Sequence, residues 1–330
     1  MNKQNIPKKI LHWYDNNKRP LPWRKKNTKK QHEYYTLVSE FMLQQTQVKT
    51  VIPFFNRFVK KFPNLKSLGS ADENKVLKYW EGLGYYSRAK NLKKTAALLL
   101  SDHCGSLPKD IEKLKALPGI GEYTSRSILS IAHNQPYIPM DGNVERILKR
   151  IFFLKNKDEI SKDNLIEKKT FFSNSKRSSD YAQAIMEIGA LICRPSLPIC
   201  TSCPLTTYCK AYKKKDFVIT TKNKLSKTKY FEALVFKYKN KYLLIKNKKF
   251  NFLKNLFIFP MNEINEEKFR SSIDKKINIK LSNMNMKIII NKNNNRRIIK
   301  NGFLLDKSNF SKFILPSFTK KIFNSLPNFK

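Results

Sequence analysis

Several ingredients of common enzyme classes are scarce or missing in this chain of 330 residues. It contains 9 glycines, of which one, Gly302, follows Gly189, and it contains 4 histidines. The sequence has no Gly-x-x-x-x-Gly-Lys-Ser/Thr phosphate loop and no Gly-x-Ser-x-Gly elbow, and its histidines lack metal-ligand spacing. These absences exclude P-loop nucleotide hydrolysis, α/β-hydrolase chemistry and a histidine-based metal centre. No apolar run approaches the ~18 residues that a membrane-spanning helix needs.

Acidic residues are also scarce relative to basic ones. Lysine and arginine number 66, aspartate and glutamate number 25, and the formal net charge is +41 at pH 7. Such a surplus favours a polyanionic partner, and nucleic acid is the one we expect. The chain is also rich in Lys, Asn, Ile and Phe, and an AT-rich genome would produce that bias with no functional cause. The charge therefore supports nucleic-acid binding without proving it.

Four of the 5 cysteines follow the spacing Cys-x6-Cys-x2-Cys-x5-Cys, at Cys193, Cys200, Cys203 and Cys209. The amino terminus lacks the apolar core of a secretory signal, so we expect a cytoplasmic protein whose reduced thiols bind a metal. Zinc and a 4Fe–4S cluster both accept four cysteines, and the irregular spacing favours iron–sulfur. Cys104 stands apart and is predicted to be a buried small residue.

The pattern of apolar and charged residues changes near residue 213. Before it, apolar residues recur at three- and four-residue steps, which predicts a mainly α domain over residues 1–212. Its helices are expected near residues 71–79 (with a start signal at Ser70), 89–100, 123–133, 142–152 and 181–192. Residues 213–229 are basic and aperiodic and are predicted to be a linker. Residues 230–330 are predicted to form a smaller α+β domain, with strands near 231–236, 242–245, 257–259 and 287–290.

A Leu-Pro-Gly-Ile-Gly motif stands at residues 117–121, between two predicted helices. Paired glycines let the backbone approach a ligand closely, and the N–H groups that open the second helix can hold a phosphate oxygen. The motif indicates a helix–hairpin–helix over about residues 114–130, and an ordinary tight turn is the alternative. Asp141 follows some way downstream, in Met-Asp-Gly-Asn-Val, either as a functional carboxylate or as a plain helix cap.

The chain contains the hairpin motif, then Asp141, then the four cysteines. This order resembles the layout of the DNA glycosylase superfamily that includes endonuclease III. Within it the chain resembles the A/G-specific adenine DNA glycosylases, the MutY family. The likeness is dense over residues 7–212 and thin after about residue 230. Besides residues 117–121 and 140–144, its supporting stretches are Leu-Pro-Trp-Arg at 21–24, Val-Ser-Glu-Phe-Met-Leu-Gln-Gln-Thr-Gln-Val at 38–48, Gly-Leu-Gly-Tyr-Tyr-Ser-Arg at 82–88 and Ile-Gly-Ala-Leu-Ile-Cys at 188–193. The stretch at 38–48 is highly specific for the family.

This resemblance implies a monofunctional enzyme of base excision repair that removes adenine opposite 8-oxoguanine or guanine in double-stranded DNA. It implies one 4Fe–4S cluster, rather than zinc, in the cysteine loop 193–209. It also implies a bacterial, nucleoid-associated monomer. The remaining alternatives are an endonuclease III-like pyrimidine glycosylase with lyase activity and a non-catalytic, zinc-stabilised DNA-binding protein.

Two carboxylates suffice for the chemistry, because the transition state of glycosidic cleavage resembles an oxocarbenium ion. Glu40 lies among apolar neighbours, where a carboxyl group can stay protonated near neutral pH and act as a general acid. A solvated helix face is the alternative for this residue. The resemblance assigns Glu40 to protonating adenine and then handling the water, and assigns Asp141 to stabilising positive charge at C1′ of the sugar.

The resemblance implies roles for other positions as well. Bifunctional relatives carry a nucleophilic lysine where this chain has Tyr123, which favours simple hydrolysis and places Tyr123 in the active site. Residues expected to line the base pocket or wedge into the DNA are Arg19, Trp23, Leu43, Gln45, Tyr85 and Asn143. From the sequence alone, Trp23 and Tyr85 would be assigned to the core. The hairpin residues expected at the DNA backbone are Gly119, Ile120 and Gly121.

The carboxy-terminal domain is expected to resemble a Nudix-like domain that senses 8-oxoguanine. With one glycine after Gly189 it lacks the glycine-rich box of a Nudix pyrophosphatase, so catalysis there is excluded. The recognition loop of the family, Phe-Ser-His, appears here as Leu281-Ser282-Asn283. Ser282 and Asn283 are therefore the expected lesion readers, and a basic clamp without lesion specificity is the alternative.

Overall fold

The computed structural model describes residues 5–25, 28–155, 162–172, 175–217, 227–281, 284–292 and 302–326. The chain divides into two compact units, Met1–Ala71 with Asn91–Thr221, and Asp72–Lys90 with Lys222–Lys330. The first unit is helical, and the second combines two sheets with helices. A mainly α fold with an added sheet region was predicted, and this coarse architecture is confirmed. Within the described residues, no helix is both long and apolar enough to cross a membrane.

The helices are α1 (Ile6–Asn17), α2 (Lys29–Leu43), α3 (Val48–Lys61), α4 (Leu65–Gly69), α5 (Glu73–Trp80), α6 (Tyr86–Asp102), α7 (Ile111–Lys115), α8 (Glu122–Ile131), α9 (Gly142–Phe152), α10 (Lys162–Lys168), α11 (Ser178–Leu191), α12 (Lys210–Lys213), α13 (Glu266–Ser271) and α14 (Ser317–Ser325). Short 3-10 turns lie at Pro22–Arg24, Lys169–Phe171, Cys200–Ser202, Thr206–Tyr208 and Lys307–Lys312.

Helix α11 is at the centre of the first unit and packs against α1, α8 and α9. The amphipathic pattern of α9 explains its position, because Val144, Ile147, Leu148 and Ile151 recur on one face and are all buried. A second apolar region joins α2 to α3 and to the Pro22–Arg24 turn. Burial of these stripes, more than helix propensity, holds the helices in place.

The strands of the second unit are β1 (Lys227–Val235), β2 (Lys237–Tyr238), β3 (Lys241–Lys246), β4 (Phe257–Ile258), β5 (Met261–Ile264), β6 (Lys275–Leu281), β7 (Met284–Lys292) and β8 (Gly302–Asp306). One sheet has the order β5-β1-β7-β6, and the other has the order β2-β3-β4 with β8 paired to β3. Strands β1 and β7 run parallel, and Phe231 pairs with Ile288. Their buried residues form one core with Phe318 and Ile322 of α14.

The predicted elements differ from the structure in several places. Helix α5 is capped by Asp72, which accepts from the Lys75 amide, and not by Ser70. Residues 72–90 belong to the second unit, although we predicted them in the first domain. Strand β1 starts at Lys227, inside the predicted linker, and residues 218–226 of that linker lie outside the described residues. The strands β2, β5, β6 and β8 were not predicted.

Candidate active site

The carboxyl group of Glu40 is buried within the first unit. Glu40 lies near the end of α2 and is 5% exposed, between the fully buried Val38 and Phe41. Burial raises the pKa of this carboxyl to about 7, the nearby hydroxyl of Ser127 lowers it, and the charge of Asp141 raises it. A carboxyl group with this pKa is substantially protonated at neutral pH, as a general acid must be. The solvated-face alternative for Glu40 is therefore wrong.

Asp141 is the N-cap of α9. Its Oδ1 accepts from the amides of Asn143 and Val144, at 2.9 and 2.8 Å, and its Oδ2 accepts from the Asn143 side-chain amide at 2.8 Å. These three donors fix both oxygens of the carboxylate. Because its charge acts on Glu40, the two predicted carboxyl groups lie in one site. The capping role and proximity to Glu40 occur together, so one does not exclude the other.

Tyr123 is the third predicted residue of this site. It lies in the first turn of α8, and its hydroxyl donates to the Met186 sulfur at 3.6 Å. Burial, and then the charges of Glu40 and Asp141, raise the pKa of this phenol well above its usual value, while Ser127 lowers it. Tyr123 is thus a neutral hydroxyl group near the two carboxyl groups. No amine replaces the missing lysine at this position.

Arg146 holds the first turn of α9 against the end of α11. Its Nη2 donates to Asn143 Oδ1 at 2.7 Å and to the Gly189 carbonyl at 2.6 Å, and its Nε donates to the Cys193 carbonyl at 2.6 Å. A Cβ atom on Gly189 would lie 2.4 Å from the Asn143 Cβ and 3.1 Å from its Cα. Only glycine lets the two helices approach this closely, and that approach sets the position of Asp141.

The predicted hairpin joins α7 to α8. Gly119 has a positive φ of 82°, and a Cβ there would lie 2.8 Å from the Phe41 ring. Ile120 is buried at 4% exposure, and the exposed Gly121 is the N-cap of α8. Gln44 Nε2 donates to the Gly119 carbonyl and to Thr124 Oγ1, both at 3.2 Å, and so ties the end of α2 to the hairpin. Contact of these residues with DNA stays a prediction.

Arg19, a predicted pocket residue, is bound to a buried carboxylate. Its Nε and Nη2 donate to Glu187 at 2.8 and 2.7 Å, and Arg24 donates to the same carboxylate at 3.0 Å. The Glu187 residue is 2% exposed. Trp23 is buried and packs edge-on against Phe55, which agrees with the core assignment that the sequence alone gave it. Leu43, the last residue of α2, is half-buried.

The two predicted wedge residues share an unusual backbone conformation. Gln45 in the first unit has a φ of 57° and is exposed. Tyr85 in the second unit has a φ of 47° and is 42% exposed, with the Arg88 guanidinium 5.3 Å from its ring centroid. Non-glycine residues seldom adopt positive φ, and the strain is often found at functional sites. The core assignment of Tyr85 is therefore wrong, and Tyr86 is the buried one of the pair, at 8% exposure.

The four clustered cysteines are half-buried free thiols that act on one another electrostatically. Burial raises the pKa of Cys203 to about 12, and a backbone N–H of Leu205 donates to its sulfur at 3.4 Å. Arg150 donates to Cys193 Sγ at 3.3 Å. Among the described residues, no group of three or more His, Cys, Asp or Glu is arranged to hold a metal ion. Cys104 is exposed, so its predicted burial is wrong.

The donor set nevertheless fits a cluster in its chemistry. Four sulfur ligands are the complement that a 4Fe–4S group requires, and N–H donors to those sulfurs are the usual outer contacts of such a group. The adjacent Arg150 also donates to the carbonyls of Arg194 and Pro195, at 2.6 and 2.7 Å. The loop is therefore fastened to α9 by the protein itself.

Three residues of the site were not singled out from the sequence, namely Ser127, Arg146 and Glu187. Glu187 is a charged residue within an apolar helical stretch, and this placement could have identified it. Ser127 follows three polar residues on α8, so the sequence pattern did not single it out. Arg146 carried no comparable feature, because its contacts are made across two helices. The predicted lesion readers, Ser282 and Asn283, lie outside the described residues, and their role stays a prediction.

Comparison with known proteins agrees with this geometry. A family model described as HhH-GPD superfamily base excision DNA repair protein matches residues 38–170. The chain is 39% identical over 318 residues to the adenine DNA glycosylase of Buchnera aphidicola subsp. Baizongia pistaciae, covering 88% of this chain and 89% of that protein. It is 39% identical over 212 residues to the adenine DNA glycosylase of Homo sapiens, covering 61% of this chain and 38% of that protein.

Two solved structures have the same fold over the greater part of the chain. One is a thermostable thymine-DNA glycosylase, with a TM-score of 0.56 and 24% identity, covering 64% of this chain and 97% of that chain. The other is a trapped endonuclease III–DNA covalent intermediate, with a TM-score of 0.52 and 22% identity, covering 65% of this chain and 99% of that chain.

The fold, the matched family model and the buried Glu40 with the half-buried Asp141 thus define a helix–hairpin–helix DNA glycosylase of base excision repair. The bacterial relative matches at 39% identity over most of both chains, which identifies a particular family within this class. The chain belongs to the adenine DNA glycosylase family, which confirms the resemblance found in the sequence.

Replacement of Gly189 by alanine tests the close approach of α9 and α11. The new Cβ would meet the Asn143 main chain, so the first turn of α9 must shift and carry Asp141 with it. We expect Gly189→Ala to lower the free energy of unfolding by about 1–3 kcal/mol in urea titrations. Gly142→Ala is the matched control, because a Cβ at Gly142 meets nothing within 4 Å. Equal stability of the two variants would contradict the proposed packing constraint.

Replacement of Glu40 by glutamine tests the burial of its carboxyl group. The folded-state pKa of about 7 lies above the ordinary 4.5, so ionisation of Glu40 destabilises the fold as pH rises between these values. At pH 8 we expect Glu40→Gln to be more stable than the wild type by up to roughly 3 kcal/mol. At pH 4 the gain should vanish, because both side chains are then neutral.

Urea titrations at both pH values measure this difference. Glu112→Gln, at an exposed glutamate, controls for the change in net charge. A Glu40→Gln variant with the same relative stability at pH 4 and pH 8 would show that Glu40 is not held in an unfavourable environment.

Proposed function

We propose that this chain removes adenine mispaired with 8-oxoguanine or guanine in duplex DNA, by hydrolysis of the N-glycosidic bond. The observation that carries the proposal is the buried Glu40, with a pKa of about 7, beside the capped Asp141. Membership of the adenine DNA glycosylase family supports adenine as the base removed. The surplus of basic residues, 66 against 25 acidic ones, supports binding to a DNA backbone.

In this mechanism Glu40 is the general acid. Its carboxyl proton passes to a ring nitrogen of adenine, and the electron pair of the C1′–N bond leaves with the base. The pKa near 7 suits this step because the group is protonated when the base binds yet acidic enough to release its proton. A water molecule then adds to C1′ and returns a proton to the Glu40 carboxylate.

Asp141 acts on the sugar. Its carboxylate is held by three hydrogen bonds, from Asn143 twice and from Val144 once, so it does not reorient during the reaction. A fixed negative charge close to C1′ stabilises the cationic transition state without any reorganisation. Tyr123 supplies a neutral hydroxyl beside both carboxyl groups but no amine, and a Schiff base with the sugar therefore has no nucleophile at this position.

The adenine must leave the base stack before this chemistry. We propose Gln45 and Tyr85 as the wedges that fill the gap, because both are exposed and held in a strained conformation. Arg19, Trp23 and Leu43 are proposed to line the base pocket, and Asn143 to border it. The hairpin residues Gly119, Ile120 and Gly121 are proposed to hold a DNA phosphate at the start of α8.

We further propose that Cys193, Cys200, Cys203 and Cys209 hold one 4Fe–4S cluster. When bound, the cluster would supply a rigid, charged cross-link in a short loop. The contacts of Arg146 and Arg150 with this loop link it to α9, the helix that begins at Asp141. The cluster in this proposal is structural and does not take part in bond cleavage.

The carboxy-terminal residues 230–330 are proposed as a Nudix-like domain that contacts the opposite strand. Its sheet and helix composition and many lysines support DNA contact. The assignment of Ser282 and Asn283 as readers of 8-oxoguanine rests on the sequence resemblance. A monomeric, cytoplasmic and nucleoid-associated protein is likewise a prediction from the sequence.

The decisive assay uses duplex DNA that carries adenine opposite 8-oxoguanine or opposite guanine. We expect free adenine and an abasic site, with strand breaks only after alkali.

Glu40→Gln should lower the single-turnover rate by roughly a hundred- to ten-thousand-fold while DNA binding persists. The wild-type rate should fall as pH rises above about 7, because the protonated fraction of Glu40 declines. Strand breaks without alkali, or a borohydride-trapped adduct, would contradict monofunctional hydrolysis.

Replacement of Cys203 by serine tests the cluster. We expect the variant to lose iron, the visible absorbance near 400 nm and DNA binding together, because a hydroxyl group does not replace a thiolate ligand. Cys104→Ser is the matched control, because Cys104 is exposed and separate from the four clustered thiols. A Cys203→Ser protein that lacks iron yet binds and processes DNA normally would refute the structural role.

A further inference from the structure

Ser127 is a fully buried hydroxyl group that the proposed mechanism does not use. It lies one turn after Tyr123 on α8, at 0% exposure. The hydrogen bond from Gln44 to Thr124 joins α2 to α8, and Glu40 and Ser127 each lie one helical turn from that contact. The Ser127 hydroxyl accordingly lowers the pKa of both Glu40 and Tyr123. Its Oγ nevertheless makes no hydrogen bond of adequate distance and angle with the part of the chain that the structure describes. A buried polar atom left in this state is costly and calls for an explanation.

The other buried hydroxyl groups of α8 have acceptors or donors of their own. Ser125 Oγ donates to the Glu122 carbonyl at 3.0 Å, and Ser130 Oγ donates to the Ser178 carbonyl at 3.2 Å. Thr124 Oγ1 accepts from Gln44 at 3.2 Å. Ser127 differs from all three because the groups that face it are the carboxyl of Glu40 and the phenol of Tyr123.

We propose that Ser127 is a positioning residue for Glu40, whose hydroxyl can serve the Glu40 carboxyl in both of its protonation states. This inference deepens, and rests on, the proposed role of Glu40 as the general acid. Before the reaction the Ser127 hydroxyl lies beside the protonated carboxyl of Glu40. After Glu40 gives its proton to the base, the Ser127 O–H rotates and donates to the new carboxylate. The pairing limits the cost of a buried charge that forms during the reaction.

Within the described part of the chain, the groups around Glu40 do not provide an equivalent donor. Asp141, which faces Glu40 from the start of α9, carries like charge and disfavours the ionised form. Tyr123 on α8 donates its proton to Met186. Arg24, on the turn packed against α2, is bound to Gln183 and Glu187. The remaining charged groups on the packed helices α3 and α8 include the exposed Lys49, Arg57, Lys60 and Lys61 and the ion pair of Glu122 with Arg126.

Replacement of Ser127 by alanine tests this role, with Ser130→Ala as the matched control on the same helix. Both serines are fully buried, but Ser130 bonds the Ser178 backbone carbonyl and is not among the groups that shift the pKa of Glu40. In Ser127→Ala we expect the alkaline midpoint of the single-turnover pH profile to rise by roughly half to one pH unit, the effect of one typical hydrogen bond. The plateau rate at lower pH should fall, because the carboxyl is less well oriented. Ser130→Ala should keep the wild-type midpoint.

A carbon-13 titration of the Glu40 carboxyl, assigned by its loss in Glu40→Gln, gives a second measurement that needs no DNA. We expect the same upward shift in Ser127→Ala and none in Ser130→Ala.

The outcomes distinguish the two hypotheses. A wild-type protein that releases no adenine overturns the proposed function, while the carboxyl titration still tests the contact of Ser127 with Glu40. An active wild type, with the same Glu40 titration and pH profile in wild type and Ser127→Ala, overturns the positioning role. In that case Ser127 is a packing residue of α8.

Discussion

The burial of the Glu40 carboxyl between α2 and α8 is the constraint on which the rest of the site depends. Taking a carboxyl out of water raises its pKa to about 7 and opposes its ionisation, so the fold must hold an unfavourable group in place. Close packing achieves this. The absence of a side chain at Gly119 lets the Phe41 ring pack against the hairpin, and Gln44 ties the end of α2 to the same hairpin. The hairpin therefore orders the end of α2, the helix that carries Glu40.

Two buried glutamates in the same unit are treated in opposite ways. Glu187 is bound to the guanidinium groups of Arg19 and Arg24, so its charge is compensated. Glu40 has a hydroxyl and a second carboxylate as neighbours, and burial dominates its pKa. Proteins commonly prepare one carboxyl group as an acid at neutral pH by giving it surroundings different from those of another carboxyl group. The contrast explains why one glutamate suits proton transfer and the other suits a fixed position.

The position of Asp141 depends on a different contact, where α9 meets α11. The absence of a side chain at Gly189 lets Asn143 approach, and Arg146 then bonds Asn143, Gly189 and Cys193 at once. These hydrogen bonds join the cysteine loop to α9, the helix that Asp141 caps. The cluster that we propose for that loop would stiffen the same junction between α9 and α11.

The sequence by itself determined the family, the helical class of the first unit, the hairpin and the two carboxyl groups, because each is encoded in a short contiguous pattern. Periodic apolar residues give α9 its bounds, and Leu-Pro-Gly-Ile-Gly gives the turn. Only the tertiary structure decided that Ser127 faces Glu40, that Arg146 spans two helices and that residues 72–90 belong with the sheets. These facts depend on contacts between residues far apart in the chain, and local periodicity carries no information about such contacts.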